Sequence, residues 1–307
     1  MMKGSTSSTA AIAAASDTSR LQELWHGLRQ WSKLFLRNKL AALGLILIVV
    51  WTLLAIAAPL VAPYAPDATQ LAAKLQGPSG EHWFGTDQFG RDIFSRVVYA
   101  ARISIWTGLI AVGISFFIGV PLGGIAAYYG GWIGNVIMRV MDIFLAFPSL
   151  ILAMAIAAAM GPGLVSAMMA VGVVGIPEFA RLMYSQTIYL KEREFVEASR
   201  SIGVKDGTIL VRHIFPNALA PLLVRITLGM GFAILTAASL SFLGLGVRPP
   251  LAEWGAMISE GREYIITGEW WLVTFPGLAI ATTILGFNLL GDGLRDVLDP
   301  RLRTSRK

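Results

Sequence analysis

The densest set of chemically capable side chains lies between His82 and Arg96, where Gly85, Asp87, Gly90, Arg91, Asp92 and Arg96 follow one another closely. Asp87 or Asp92 with Arg91 or Arg96 has the spacing for ion pairs along a helix, and Gly85-Thr86-Asp87 reads as a helix entry with a capping residue. A calcium loop would need acidic ligands at regular intervals ending in Glu, and that pattern is missing. The three histidines, His26, His82 and His213, have no metal-ligand spacing. There is no cysteine for disulfides, metal ligation or thiol chemistry. No Gly-x-x-x-x-Gly-Lys phosphate loop and no Gly-x-Ser-x-Gly nucleophile elbow occurs. The expectation is a chain with no catalytic residue, no metal and no cofactor, and not an enzyme.

A second group of charges sits among apolar residues. Arg139 and Asp142 are three apart, as are Glu178 and Arg181, so each pair is expected to close on one helix face near the end of its helix. Arg225 stands alone, Asn288 is placed to hydrogen-bond between helices, and Pro148, Pro177 and Pro276 are expected kinks. The elements that hold these residues are membrane spans. The chain has 307 residues, 55% hydrophobic and 14% charged, whereas a soluble domain carries roughly a quarter charged residues.

Residues 40–62 carry no charge and would make about 34 Å of helix, enough for a hydrocarbon core of about 30 Å. The run preceding it is too long and its apolar length too great for a cleaved signal peptide, so an anchor is expected, behind a Ser/Thr/Ala-rich tail over 1–19. Residues 103–129 form the next span. The stretch 143–177 is too long for one crossing, and Gly161-Pro162-Gly163 divides it into a helical hairpin, about 136–160 and 164–185. Spans over 226–247, entered near Asn217, and 270–291 complete an all-α polytopic membrane protein of about six transmembrane helices.

Basic residues set the orientation. Six lie in the N-terminal segment, five in the 186–216 loop and five in the C-terminal tail, against three and two in the loops of the opposite side. The positive-inside rule therefore puts both termini and the 186–216 loop in the cytoplasm, and the basic balance reflects membrane orientation rather than nucleic acid. Trp254, Tyr264, Trp270 and Trp271 then suit an aromatic belt at the far interface.

The 186–216 loop reads Glu197-Ala198-Ser199, three residues, Gly203, nine residues, then His213-Ile214-Phe215-Pro216. Phe195 to Ile202 lacks Gly and Pro and suits a short amphipathic helix, ended by Gly203. A second helix fits Lys205 to His213, with Pro216 in the first turn of the next span. Glu197 offers a carboxylate near a helix start, and Ala198 and Ser199 would let a partner approach closely. By themselves these residues fit equally a docking helix or one resting on headgroups.

The spacing resembles the EAA loop of ABC importer permeases, with Ser199, His213 and Phe215 departing from Ala, Ile and Leu. The resemblance covers the chain after residue 30. The His82–Arg96 segment with Ala101-Arg102-Ile103-Ser104 is similar to the C-subunits of dipeptide, oligopeptide, glutathione and nickel permeases, as is Asn288 to Arg301. That resemblance implies the ABC importer permease fold in a bacterial inner membrane. It also implies a second homologous permease subunit, two cytoplasmic ABC ATPase subunits and an extracytoplasmic substrate-binding protein, besides membrane lipid. Glu197, Ala198, Ser199, Gly203 and Pro216 would couple to the ATPase. Gly85, Asp87, Gly90, Arg91 and Asp92 would form an extracytoplasmic motif that is structural or meets a partner. The implied function is ATP-driven import of di- or oligopeptides, glutathione or a nickel chelate. The alternative, an ion-driven secondary transporter, calls for mid-span carboxylates and an inverted repeat. The layout expected is a tail over 1–39, a first span over 40–62 and an extracytoplasmic segment over 63–100. A core of five spans over 101–294 includes the 186–216 loop, and a tail over 295–307 ends the chain.

Overall fold

The structure, a computed structural model, describes residues 38–298, so the expected tails up to residue 37 and from residue 299 lie outside the described residues. Helix α1 (Lys39–Ile56) begins at Asn38, whose Oδ1 accepts the N–H groups of Leu40 and Ala41. A single turn, α2 (Ala58–Val61), follows it. The succeeding helices are α3 (Ile93–Tyr129), α4 (Gly131–Leu145), α5 (Ser149–Met160) and α6 (Leu164–Lys191). Then come α7 (Glu194–Ser201), α8 (Asp206–Phe242), α9 (Trp254–Gly261) and α10 (Trp271–Leu298). Among the described residues there is no strand beyond one isolated bridge, Thr86 to Asp92.

Among the described residues five helices are long and apolar enough to cross a membrane, and a bent pair that passes the same test together brings the candidates to six if it is one span. That pair corrects the expected hairpin. The arm read as one helix over 136–160 is two, α4 and α5, bent by 93° between Leu145 and Ser149. Pro148 causes the break: its ring pushes the preceding residue out of the α region, and Pro148 itself is extended at ψ 127°. Pro177 and Pro276, by contrast, lie inside helices that continue past them.

Two other helices are longer than expected. α3 starts at Ile93, not 103, because Asp92 caps it, and it runs through Pro121 to end at Gly130. Its 37 residues make about 55 Å of helix, well beyond the hydrocarbon thickness, so it projects from the membrane. Asp92 also replaces Gly85-Thr86-Asp87 as the helix entry: its Oδ2 accepts the N–H and the hydroxyl of Ser95, each at 2.7 Å. α8 absorbs the separate helix expected over Lys205–His213. It is continuous from Asp206, with Ile209–Ile214 wound as a π-helix. Pro216 cannot donate to the carbonyl four residues back, and the wider turns just before it accommodate that loss.

α6 is the most buried span and α1 the least. α3 lies along α6 at small residues: a Cβ on Gly123 would stand 2.1 Å from the Ala180 carbonyl oxygen. Backbones this close gain dispersion contact that larger side chains would forbid. α10 packs between α1 and α8, and the core is filled by Phe179, Met183, Leu222, Ile234 and Leu240.

Candidate functional site

The α7 loop is built from a helix with two faces. Val196 and Ser199 are buried, three residues apart on the inner face, while Phe195, Ala198 and Ile202 form an exposed stripe flanked by Glu194 and Glu197. Ser199 therefore turns inward, its hydroxyl donating to the Phe195 carbonyl at 2.8 Å, and Ala198 alone of the small pair faces out. Gly203 leaves α7 at φ 81°, and Val204 N–H donates to the Ser199 carbonyl at 3.1 Å, which fixes the turn. Pro216 is exposed within α8.

The loop is fastened to the spans beneath it. Tyr128 near the end of α3 donates to Asp206 Oδ1 at 2.6 Å, and its ring lies under the Arg200 guanidinium at 5.3 Å. Lys191 Nζ donates to the Ala127 carbonyl at 3.1 Å. Fully buried Val196, Ile209 and Ile214 join the core that runs on into Ala218 and Leu222 of α8. A push on the exposed face of α7 would thus be carried by packed side chains into α3 and α8.

The opposite end of α3 carries a buried clasp. Asp87 Oδ1 accepts the N–H groups of Phe89 and Arg91, and its Oδ2 takes Arg91 Nε at 2.5 Å. Arg91 and Arg96 converge on Glu260 of α9 at 2.9 and 3.1 Å. Asp92 Oδ1 meets His82 Nδ1 at 3.0 Å. Gly85 and Gly90 both have positive φ, at 77° and 73°. A Cβ at Gly90 would strike the Gln70 carbonyl. The expected pairing of Asp87 with Arg91 is made, though in the loop before α3 rather than along a helix, and Glu260, distant in sequence, is a further acceptor shared by Arg91 and Arg96 that local spacing could not reveal.

The same region corrects the aromatic belt. Trp254 is fully buried with Nε1 donating to the Val97 carbonyl, and Trp271 is buried with Nε1 donating to Thr86. Both indoles lock the clasp to α9 and α10, while Trp270 stays half exposed. Glu253, which the sequence reading passed over, caps α9 through a 2.9 Å bond from Ala256 N–H. Burial pushes its carboxyl above the ordinary range, against the Ala256 N–H bond that pulls it down. A Glu before Trp-Gly is an uncommon cap, and that was the one available signal.

The charges inside the spans pair between helices. Arg181 reaches Asp142 of α4 at 2.6 Å, and Arg225 of α8 pairs with Glu178 of α6. Arg225 is not alone, and neither Arg139–Asp142 nor Glu178–Arg181 closes within its helix. α6 stands between α4 and α8, so each charge finds an opposite one across a helix boundary rather than a turn away. Asn288 packs its Oδ1 against Gly231. Among the described residues no three His, Cys, Asp or Glu side chains gather as a metal-ligand set.

Comparison with known proteins matches residues 119–304 to the family described as "Binding-protein-dependent transport system inner membrane component". Residues 19–78 match the N-terminal TM domain of oligopeptide transport permease C. A dipeptide transport system permease of Alkalihalophilus pseudofirmus is 50% identical over 90% of this chain and 90% of its own length. A probable D,D-dipeptide permease of Escherichia coli is 45% identical over 86% and 88%. A glutathione permease of Pectobacterium atrosepticum is 43% identical over 90% and 92%. The fold is similar to a chain of the inward-facing MetNI methionine ABC transporter, with TM-score 0.54 and 19% identity over 66% of this chain and 96% of that one. A matched model covering more than half of a multi-span chain, relatives sharing close to half its residues and the permease fold together place it: the chain belongs to the binding-protein-dependent ABC importer permeases, multi-pass components of the inner membrane.

Proposed function

We propose that this chain is the non-catalytic translocating subunit of an ATP-driven importer of short peptides, coupled to separate ATPase subunits through α7. The observation that carries the coupling is α7 itself: an exposed stripe of Phe195, Ala198 and Ile202 beside Glu194 and Glu197, on a helix pinned to α3 and α8. An apolar strip rimmed by carboxylates suits a groove with basic or amide donors better than it suits anionic headgroups, which two glutamates would repel.

In this reading the termini and the 186–216 loop face the cytoplasm, and the clasp faces outward with the binding protein. ATP closes the two ATPases on each other, α7 moves with them, and packed contacts pass the shift to α3 and α8. The spans of this chain and of a second, homologous permease then open outward, and the binding protein releases its peptide between them. Hydrolysis resets the pair. Relatives named for dipeptides, D,D-dipeptides and glutathione favour a peptide cargo over a nickel chelate. The ion-driven alternative has no need of a binding protein, whereas the family is defined by one.

The test is ATP-dependent uptake of a labelled dipeptide by the reconstituted complex carrying Glu197→Lys or Gly203→Val. Both variants should insert and assemble normally yet lose uptake. Wild-type uptake in both overturns the coupling role.

A further inference from the structure

Two ion pairs lie within the spans, toward the α7 end. Glu178 stands in the 28-residue α6 and Arg225 in the 37-residue α8, and both helices run on into the 186–216 loop. One turn beyond Glu178, Arg181 reaches Asp142. The side chains are open: Arg181 is 54% and Asp142 45% exposed, Glu178 43% and Arg225 28%. Charges at that depth cannot face hydrocarbon without a heavy penalty, so the surface they share faces water or polar matter.

Their bonding capacity is also unspent. Arg181 offers five N–H donors and makes one close bond to Asp142, and Arg225 Nε is buried with no acceptor. Each carboxylate has room for further donors. Glu178 and Arg181 are neighbours on one helix face, about 5–6 Å apart at Cβ. The patch therefore presents a guanidinium and a carboxylate side by side, each with bonding capacity beyond its one ion-pair partner.

Resting on the peptide-importer reading above, we propose that Asp142, Glu178, Arg181 and Arg225 line the translocation passage and transiently hold a zwitterionic peptide. The guanidinium groups take its α-carboxylate and the carboxylates its α-ammonium. Both charged ends are thereby escorted across the apolar layer, and the existing ion pairs close behind the departing peptide, so no charge is left stranded.

The chain has no cysteine, so an introduced thiol is the single labelling site within this subunit, read on its own gel band. In the reconstituted complex, Arg181→Cys, or Ser185→Cys one turn further on the same exposed face should Arg181→Cys fail to assemble, is treated with a charged, membrane-impermeant thiosulfonate. Labelling is expected, and it should slow when dialanine, the binding protein and ATP are present. In uptake, Arg181→Gln should lower dialanine transport about tenfold, the loss of one charge-assisted bond, while leaving dialanine amide, which lacks the carboxylate, nearly unchanged. A thiol that does not label, labelling indifferent to dialanine, or equal losses for the two peptides overturns the proposal. A wild-type complex that takes up no peptide, while the Arg181→Cys complex still labels, would instead count against the peptide function, so the two failures are read apart.

Discussion

Gly203 offers the cleanest perturbation of the loop. Its φ of 81° lies in the left-handed region, and a Cβ added there meets nothing within 4 Å. Any penalty for a side chain is therefore conformational, with no steric part. For an L-residue that penalty is about 1–2 kcal/mol, highest for β-branched Val and smallest for Asn, which adopts the left-handed region most readily of the non-glycine residues. The turn it holds is small, closed by Gly203 N–H on the Arg200 carbonyl and Val204 N–H on that of Ser199. A strained side chain would release those bonds and let α7 tilt, leaving the spans intact because Gly203 is exposed and outside the core. If the penalty falls on the state in which α7 is docked, Gly203→Val should reduce coupled uptake roughly five- to thirtyfold. Gly203→Asn should recover most of it. Proteoliposome uptake, with assembled complex measured in parallel, reads this directly. Equal uptake by the glycine and valine forms, or an asparagine form as impaired as valine, refutes a turn-dependent coupling helix.

Glu260→Ala removes the common acceptor of Arg91 and Arg96, leaving two largely buried guanidinium groups with Asp87. Breaking such a buried network costs about 3 kcal/mol or more, seen as a lower unfolding temperature of the purified complex. Glu253 has a folded pKa raised by burial, so the folded state holds its proton more tightly than the unfolded one. Stability should therefore fall as pH rises from the ordinary carboxyl range toward the raised value, and Glu253→Gln should flatten that slope while keeping the Ala256 bond. A melting series against pH checks the sign. Gly123→Ala forces a methyl against the Ala180 carbonyl and should cost about 1–3 kcal/mol, whereas Gly124→Ala, whose nearest neighbour is a flexible Met183 methyl at 3.5 Å, should be mild. Comparing folded yields of the two separates close packing from a general intolerance of alanine.

The spans and the α7 loop were legible because hydropathy, capping and glycine punctuation act over a few residues. Gly203 was identified as a turn from its neighbours alone, and it adopts the positive φ that role requires. Partners set by tertiary packing were not legible. Arg181 and Glu178 share a helix, yet each answers a charge on a different neighbour, which no local spacing reveals. Glu260 lies far along the chain from Arg91. Trp254 and Trp271 looked interfacial by composition, but their N–H groups find buried carbonyls, so the rings go inside. Pro148 announced a disturbance; whether a proline kinks or breaks depends on what supports the freed backbone, and here two helices part at 93° while Pro177 and Pro276 are carried through.

In the proposed function α7 receives work from an ATPase and this chain passes a peptide in response. Reconstitution with the second permease, the ATPases and the binding protein, followed by dipeptide uptake with and without a crosslink from Ala198→Cys to the ATPase groove, tests it most directly. Uptake should need both ATP and the binding protein, and the Ala198→Cys thiol should crosslink to the ATPase and to no other subunit. Peptide uptake that proceeds without ATP, or an Ala198→Cys thiol that stays free and lipid-facing in the assembled complex, would contradict it.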